Sequence, residues 1–209
     1  MDWLPPLITT VLAYLAGSLS FAVIVSRSMG LNDPRTYGSK NPGATNVLRS
    51  GSRKAAAVTL LFDALKGWFP VFAVGHWGDA YGLGPGTAAL AGLAAFLGHL
   101  WPVFFRFQGG KGVATAIGVL FGVSGWLGLI GGAIWLLMAY VFRYSSLASM
   151  VSAVLAPLVY LLADGSLWRA SPLVTLALAV MSALLVYRHR ENITRLIAGS
   201  ESRLGKKQA

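Results

Sequence analysis

The chain has 209 residues, and its composition excludes most soluble folds. Hydrophobic residues make up 56% and charged residues 11%, whereas a soluble domain carries about 25% charged residues. A chain this apolar lacks the polar surface to coat a soluble globule, so we expect lipid to be its solvent. Cysteine is absent, which excludes disulfides, thiolate metal sites and a cysteinyl thioester intermediate. The net charge of +10 is typical either of a nucleic-acid binder or of a membrane protein with basic loops on one side.

Seven apolar segments predict an all-α integral membrane protein, a bundle of seven transmembrane helices in one domain over residues 1–209. They cover residues 3–26, 55–75, 86–105, 112–125, 126–142, 146–163 and 171–187. The fourth and fifth segments form one run of about 30 residues, longer than the roughly 20 that one span needs. Because Gly122, Ser124 and Gly125 interrupt that run, we predict two short, tilted helices there, with six spans in total as the alternative.

Basic residues predict the orientation of the bundle. With seven spans and the N-terminus outside, fifteen of the seventeen Lys and Arg residues fall in four inner segments. These segments are residues 27–54, residues 106–111, Arg143 with its neighbours, and residues 188–209, which include Lys206 and Lys207. By the positive-inside rule, the N-terminus is outside and the C-terminus is cytoplasmic. Insertion bias and attraction to anionic lipid explain most of the net charge, and no fold module for nucleic-acid binding is present.

Three inner segments contain more than membrane insertion requires. The first runs from Gly38 to Arg49, and the guanidinium of Arg49 suits a carboxylate or a phosphate in bidentate fashion. Its short hydrogen-bonding side chains are Ser39, Asn41, Thr45 and Asn46. The segment therefore predicts a ligand loop, and the alternative interpretation is a polar turn that caps the second span.

The second inner segment, residues 107–115, opens the fourth span and contains Gly109-Gly110-Lys111-Gly112. Glycines let backbone N–H groups approach a ligand, and the start of a helix concentrates unpaired donors and positive dipole. Lys111 adds a full charge, so the segment predicts a phosphate cradle. It lacks the full Walker spacing, which argues against a nucleotide-hydrolysing loop. The alternative is a flexible loop whose Lys only biases insertion.

The third inner segment, residues 189–196, follows the seventh span. On a continuing helix, His189 and Asn192 lie three residues apart on one face, Arg195 lies one step further, and Glu191 is placed to pair with Arg195. The alternative is a solvated helix that binds anionic lipid headgroups. Because the predicted topology brings all three segments to one face of the membrane, we expect a single cytoplasm-facing pocket for an anionic, phosphorylated ligand.

Two further polar features accompany these segments. Asp63 and Lys66 lie three residues apart within the second span, where ions are costly and normally pair inside the bundle. They predict either a structural ion pair or the polar wall of a cleft that opens to the cytoplasm. Ser145 and Ser146, which follow Arg143 on the inner side, are weaker candidates for the same pocket.

The three segments resemble those of the bacterial acyl-phosphate:glycerol-3-phosphate acyltransferases, the PlsY family. The family pattern G-H-x-x-P-x-F-x-x-F-x-G-G-K-G-V-A-T is matched from Gly98 to Thr115, and H-x-x-N-I-x-R-L is matched from residue 189 to residue 196. The pattern G-S-G-N-x-G-A-T-N-x-x-R is matched from Gly38 to Arg49 with one departure, since Lys40 stands where the family usually has Gly.

The resemblance implies transfer of a fatty acyl group from acyl phosphate to the 1-hydroxyl of sn-glycerol 3-phosphate. It implies a seven-helix protein of the bacterial inner membrane with a cytoplasmic active site, at the first step of phospholipid biosynthesis. Carried over by motif, the catalytic residues are Ser39, Arg49, Lys111, His189 and Asn192. The substrate-binding residues are Asn41, Thr45, Asn46, Gly110, Gly112 and Arg195, with Ser145 and Ser146 as weaker additions.

An acyl phosphate is a mixed anhydride that needs little activation, so the protein has to hold two anions together and position a hydroxyl. The donor phosphate itself or His189 serves as the base. No cofactor and no metal are expected, and a monomer is the working assumption. The main alternative class is a transporter of an anionic solute, but no inverted repeat is found, and the special residues cluster at one face of the membrane.

Overall fold

The computed structural model describes residues 2–205, and this part of the chain forms a bundle of α-helices. The helices are α1 (Leu4–Gly17), α2 (Phe21–Ser28), α3 (Ala44–Leu48), α4 (Arg53–Trp77), α5 (Pro85–Leu100), α6 (Val113–Val123), α7 (Gly125–Phe142), α8 (Ser145–Leu162), α9 (Pro172–Arg188) and α10 (Arg190–Ile197). Short 3₁₀ turns follow α4 and α5. Lys206 and Lys207, which the charge argument places inside, lie outside the described residues.

Four helices are long and apolar enough to cross a membrane: α4 and α5, each with its 3₁₀ turn, and α7 and α8. The number rises to six if each of two bent pairs counts as one span, namely α1 with α2 and α9 with α10. α6 has only 11 residues, or about 16 Å, roughly half of a hydrocarbon core about 30 Å thick. The described residues therefore provide four to six candidate spans, and the seven-helix count stays a prediction.

The long apolar run after residue 112 is divided where the sequence predicts. α6 ends at Val123 and α7 begins at Gly125, with Ser124 in extended backbone between them. The two helices then fold back on each other: a Cβ added at Gly128 would lie 2.2 Å from the Phe121 ring, and one at Gly131 would lie 2.7 Å from Leu120. Small residues on α7 thus allow an antiparallel pair.

The first apolar run is not one helix, contrary to the prediction for residues 3–26. α1 ends at Gly17 and α2 begins at Phe21, bent by 44°. The break has a physical reason, because it frees the carbonyl of Leu19, which accepts a 2.6 Å hydrogen bond from Nζ of Lys66. A continuous helix would hold that carbonyl in its own hydrogen-bond ladder.

Lys66 belongs to a buried polar cluster between helices. Its Nζ lies 2.7 Å from Oδ1 of Asp63, and both side chains are under 5% exposed. Nδ1 of His99 lies 3.6 Å from the same carboxylate oxygen and 3.2 Å from Oγ1 of Thr115. The cluster therefore joins α4, α5, α6 and the α1–α2 break. This enclosure favours the structural interpretation of the ion pair over the wall of an open cleft.

Glycine contacts between α4 and α6 set the position of the loop before α6. A Cβ added at Gly118 would lie 1.9 Å from the carbonyl oxygen of Ala64, and one at Gly67 would lie 2.2 Å from the carbonyl oxygen of Thr115. The two helix backbones are therefore as close as they can be, which only glycine permits. This contact leaves the start of α6 little freedom to move against the rest of the bundle.

The topology predicts the outcome of labelling single-cysteine variants in intact cells. Because the native chain has no cysteine, each introduced thiol reports alone. Lys40→Cys and Arg190→Cys should be protected from an impermeant maleimide, whereas Asp79→Cys and Arg169→Cys should react. Gly125→Cys, in the break after α6, should also react if two spans meet there. Reaction of Lys40→Cys or Arg190→Cys from outside would contradict the predicted orientation.

Candidate active site

The three polar segments meet at one end of the bundle. Nζ of Lys111 in the glycine loop donates a hydrogen bond to Oδ1 of Asn192 on α10. A Cβ added at Gly110 would lie 2.8 Å from the carbonyl oxygen of Pro42, so the first loop touches the second. Nη2 of Arg49 donates to Oγ of Ser202, 2.9 Å away, just past α10. The second segment therefore contacts both the first and the third, and the first also contacts the chain that follows the third.

The glycine loop is held in one conformation by backbone contacts. The N–H of Gly110 donates to the carbonyl of His99, 3.1 Å away. The guanidinium of Arg188 donates to the carbonyls of Gly109 and Gly110 at 2.9–3.2 Å. Gly112 follows with φ +81°, a left-handed conformation that favours glycine, and α6 begins at the next residue.

The start of α6 provides donors for an anion. Within the described chain, no side chain caps this helix, although the first turn of a helix leaves up to four N–H groups without a partner in the helix. These groups lie beside Lys111, so the dipole of α6 and a full positive charge act on the same place. The arrangement suits a phosphate or a carboxylate.

Lys111 is mostly buried, and this changes its chemistry. The pKa of Lys111 is lowered to about 8, mainly by burial and also by the charge of Arg195, while the carboxylate of Glu201 opposes the shift. A bound phosphate would favour the charged ammonium and raise the pKa again. An anion bound here would therefore be accompanied by a proton on Lys111.

Glu201, which the sequence analysis missed, provides the carboxylate of this site. It accepts hydrogen bonds from Oγ of Ser146 at 2.7 Å, Nδ2 of Asn192 at 2.6 Å and Nε of Arg195 at 2.8 Å. Burial alone would raise the pKa of Glu201, but these hydrogen bonds outweigh it and lower the pKa. The carboxylate is therefore ionised at neutral pH.

The sequence prediction for the third segment is wrong in two details. α9 ends at Arg188 and α10 begins at Arg190, with a bend of 56°, so the helix does not continue through His189. Arg195 pairs with Glu201 and not with Glu191. The bend turns Asn192 into the bundle, where it is 7% exposed, and lets the chain after α10 fold back over the site.

His189 lies at this bend and is 2% exposed. Its Nδ1 is 2.8 Å from the carbonyl of Leu185, which assigns the proton to Nδ1 and leaves Nε2 as an acceptor. Burial lowers the pKa of His189 to about 4, and the charge of Lys111 contributes in the same direction. His189 is therefore a neutral imidazole at physiological pH.

The first loop is organised by Asn46. The amide of Asn46 donates to the carbonyls of Pro34 and Tyr37 at 2.6 and 3.2 Å, and its Oδ1 accepts the N–H of Ser39 at 3.0 Å. The side chain is 2% exposed, so it holds the loop together from inside. Lys40 has φ +54°, which explains why the family pattern has glycine at this position.

The remaining predicted site residues differ in their surroundings. Ser39, Thr45 and Arg49 are exposed beside the pocket, and Asn41 is partly buried next to Gly43. Oγ of Ser146 donates a hydrogen bond to Glu201. Ser145 takes part through its backbone, since its carbonyl accepts a 2.7 Å hydrogen bond from Oγ of Ser149. Among residues 2–205, no three His, Asp or Glu side chains group as metal ligands do.

The sequence analysis missed the roles of both Arg188 and Glu201. Arg188 was counted only among the residues that bias insertion. Glu201 is one of two carboxylates in the basic segment after residue 188, the other being Glu191, so no local signal distinguishes it. Arg188 contacts a loop 78 residues earlier in the chain, and Glu201 joins two nearby residues, Asn192 and Arg195, to Ser146, which is 55 residues earlier.

Known proteins that resemble this chain belong to one family. Residues 7–199 match the sequence model of the glycerol-3-phosphate acyltransferase family. Proteins of that name from Albidiferax ferrireducens and Ralstonia nicotianae are 67% and 61% identical to this chain. The alignments cover 97% and 95% of this chain, and 90% and 93% of the relatives.

Two crystal structures of PlsY, an integral membrane glycerol 3-phosphate acyltransferase, share the fold. The glycerol 3-phosphate form has a TM-score of 0.87 and 39% identity, with 96% of both chains covered. The lysophosphatidic acid form has a TM-score of 0.85 and 38% identity over the same share of each chain. The fold is thus that of an integral membrane protein, and Lys111, Asn192, Arg195 and Glu201 are joined by hydrogen bonds at one end of its helix bundle. The chain belongs to the PlsY family of glycerol-3-phosphate acyltransferases.

The pKa of Lys111 predicts how anion binding depends on pH. The lysine is charged below about pH 8 and loses its proton above it, so affinity for inorganic phosphate should fall as pH rises through 8. Calorimetric titration of the purified protein between pH 6 and pH 10 measures this fall. Lys111→Arg, which stays charged over this range, should remove the decline between pH 8 and pH 10. An equal decline in both proteins would exclude Lys111 as its source.

Proposed function

We propose that the protein transfers a fatty acyl group from acyl phosphate to the 1-hydroxyl of sn-glycerol 3-phosphate. The products are 1-acyl-sn-glycerol 3-phosphate (lysophosphatidic acid) and inorganic phosphate. The observation that carries the proposal is the anion cradle formed by the glycine loop, the start of α6 and Lys111 against Asn192. The related crystal structures in glycerol 3-phosphate and lysophosphatidic acid forms support the acceptor and the product.

The positive charge of the site is an argument for the binding of two phosphate groups. Together they bring up to four negative charges, and we assign the donor phosphate to Lys111 and the glycine loop. Arg49, His189, Asn192 and Arg195 then surround glycerol 3-phosphate. Asn192 and Arg195 already give hydrogen bonds to Glu201, so a substrate phosphate has to share these donors with the carboxylate or displace it.

An apolar cleft next to the glycine loop supports an acyl donor. It lies between α6, α8 and α9, starts at Val113 directly after the loop, and includes Leu185, one helical turn before His189. Its other apolar lining residues include Ile117, Ala153 and Met181. Its volume of about 30 Å³ is too small for a fatty chain, so the chain has to part these helices or lie along their lipid-facing edge. A carbonyl at the mouth of the cleft would stand between the chain and the phosphate cradle.

The reaction needs few catalytic groups from the protein. The glycerol hydroxyl attacks the carbonyl carbon, a C–O ester bond forms, and the bond from that carbon to the phosphate oxygen breaks. The hydroxyl proton leaves with the phosphate, so the products are an ester and hydrogen phosphate. Lys111 and the helix N–H groups stabilise negative charge on the departing phosphate, and they also hold the donor beside the acceptor.

The low pKa of His189 favours the donor phosphate as the proton acceptor. A group with a pKa of about 4 is a weak base at neutral pH, whereas the second ionisation of a phosphate ester lies near 6. We therefore assign His189 to positioning, with Nε2 accepting a hydrogen bond from a substrate hydroxyl. The protein acts without a cofactor, as a monomer in the bacterial inner membrane, with this end of the bundle in the cytoplasm. The reaction is the first step of membrane phospholipid biosynthesis.

Product analysis tests the proposed function directly. The purified protein in nanodiscs receives glycerol 3-phosphate with either palmitoyl phosphate or palmitoyl-CoA, and mass spectrometry measures the acylated product. Turnover is expected with palmitoyl phosphate and is expected to be at least about 100-fold lower with palmitoyl-CoA, because a thioester has no phosphate beside its carbonyl for the cradle to bind. Lys111→Ala should be folded and inactive. Equal rates with both donors would overturn the donor assignment.

The proton assignment predicts an acidic limb in the pH profile. The rate should fall as pH drops through about 6, because the donor phosphate gains a proton and can no longer accept one. His189→Gln should lower kcat, because the substrate hydroxyl is positioned less well, and should keep this limb, because Gln does not titrate. Rates between pH 4.5 and pH 8 measure the effect in both proteins. Disappearance of the limb in His189→Gln would make His189 the base.

A further inference from the structure

Arg188 makes an unusual contact for a basic residue at the inner end of a membrane helix. It is the last residue of α9, where a charge is expected to face water or lipid headgroups. Instead its guanidinium lies against the glycine loop, with Nη2 2.9 Å from the carbonyl oxygen of Gly109 and 3.0 Å from that of Gly110. Nε adds a third hydrogen bond of 3.2 Å to Gly110. One side chain thus binds two consecutive peptide groups.

These contacts determine where the N–H groups of the loop point. A trans peptide is planar, so its N–H points away from its C=O. The peptide that directs the Gly109 carbonyl to Arg188 directs the Gly110 N–H to the His99 carbonyl, 3.1 Å away on the opposite side. By the same geometry, the peptide that directs the Gly110 carbonyl to Arg188 turns the N–H of Lys111 away from the guanidinium. Lys111 is the residue whose side chain reaches Asn192.

The contact with Arg188 also turns two carbonyl dipoles, those of Gly109 and Gly110, away from the place where a phosphate would bind. A phosphate is repelled by carbonyl oxygens and attracted by N–H groups. Glycine has no side chain to restrict its peptides, so consecutive glycines can turn their carbonyls either way. Because the guanidinium binds both carbonyls, the loop keeps the orientation that suits an anion. His99 packs against the other side of the loop: a Cβ added at Gly110 would lie 2.2 Å from its Nε2.

We propose that Arg188 is a positioning residue that holds the glycine loop in its phosphate-binding conformation. The inference rests on the proposed function, and it assigns to Arg188 a role through the loop without contact with substrate. A planar fork with several donors can bind two peptide carbonyls at fixed angles, whereas the ammonium of a lysine is a single point of charge. The guanidinium geometry, and not the charge alone, is therefore what the loop requires.

Steady-state kinetics of three variants test this inference. Arg188→Gln removes the charge and the fork, Arg188→Lys keeps only the charge, and Arg190→Gln is the matched control. Arg190 is two residues away and exposed, and it stacks on the ring of Tyr187 at 4.9 Å. Both Arg188 variants should raise the KM of one phosphate substrate by at least about tenfold, as expected for the loss of charge-assisted hydrogen bonds. We expect this substrate to be the acyl donor. The KM of the other substrate should change less than about twofold in both Arg188 variants. In Arg190→Gln, the KM of each substrate should also change less than about twofold.

Hydrogen exchange provides a second measurement that does not depend on activity. In the wild-type protein the Gly110 N–H should be protected by the His99 carbonyl, and protection of residues 107–112 should fall at least about tenfold in Arg188→Gln and Arg188→Lys but not in Arg190→Gln. Loss of protection together with an inactive wild-type protein would support the role of Arg188 while the proposed function fails. Unchanged protection in Arg188→Gln, or normal kinetics in Arg188→Lys, would overturn the inference.

Discussion

Positive charge gathers where the inner ends of the helices meet, and the chain balances it with a carboxylate of its own. Lys111 and Arg195 lie close enough for Arg195 to lower the pKa of Lys111, and Glu201 partly offsets that repulsion. Glu201 also accepts hydrogen bonds from Ser146, Asn192 and Arg195. Removal of an anion from such a group of donors is costly unless another anion replaces it. The site is therefore arranged for negative charge before a substrate arrives.

The architecture of the bundle explains how this charge is kept in place. Contacts through Gly67 and Gly118 press α6 against α4, and the cluster of Asp63, Lys66 and His99 joins the same helices inside the bundle. His99 then binds the N–H of the glycine loop through its own carbonyl. A polar network in the apolar interior thus connects directly to the glycine loop. Buried networks of this kind are rigid when every member has a partner.

Hydropathy predicted six of the seven apolar segments well, but it could not predict the bends. For α4 to α9 the start of each helix lies within two residues of its predicted start, because lipid requires long apolar runs with internal hydrogen bonds. The break between α1 and α2 depends on Lys66, which is 47 residues away from the carbonyl it binds. No local pattern contains that contact, so the first segment was predicted as one helix.

The residues of the candidate site likewise fall into those that the local sequence predicts and those that it does not. Lys111, Asn192 and Arg195 could be found from residue type and spacing, because glycines before a lysine and an i, i+3 polar face are local signals. The roles of Glu201 and Arg188 could not, since the chain has to fold back after α10 to bring Glu201 to its donors, and Arg188 binds carbonyls 78 residues away. The left-handed backbone at Lys40 is an intermediate case: the departure from the family glycine is visible in the sequence, but only the structure gives its meaning, a positive φ.

A structure of the protein with a non-hydrolysable acyl phosphonate tests the central claim most directly. The account predicts that the phosphonate group lies within hydrogen-bond distance of Nζ of Lys111 and of N–H groups at the start of α6. The acyl chain should then extend between α6, α8 and α9. The contradicting result is a phosphonate bound away from Lys111, with no ligand atom in contact with the glycine loop or Glu201 and with both unchanged. That result would exclude this end of the bundle as the active site.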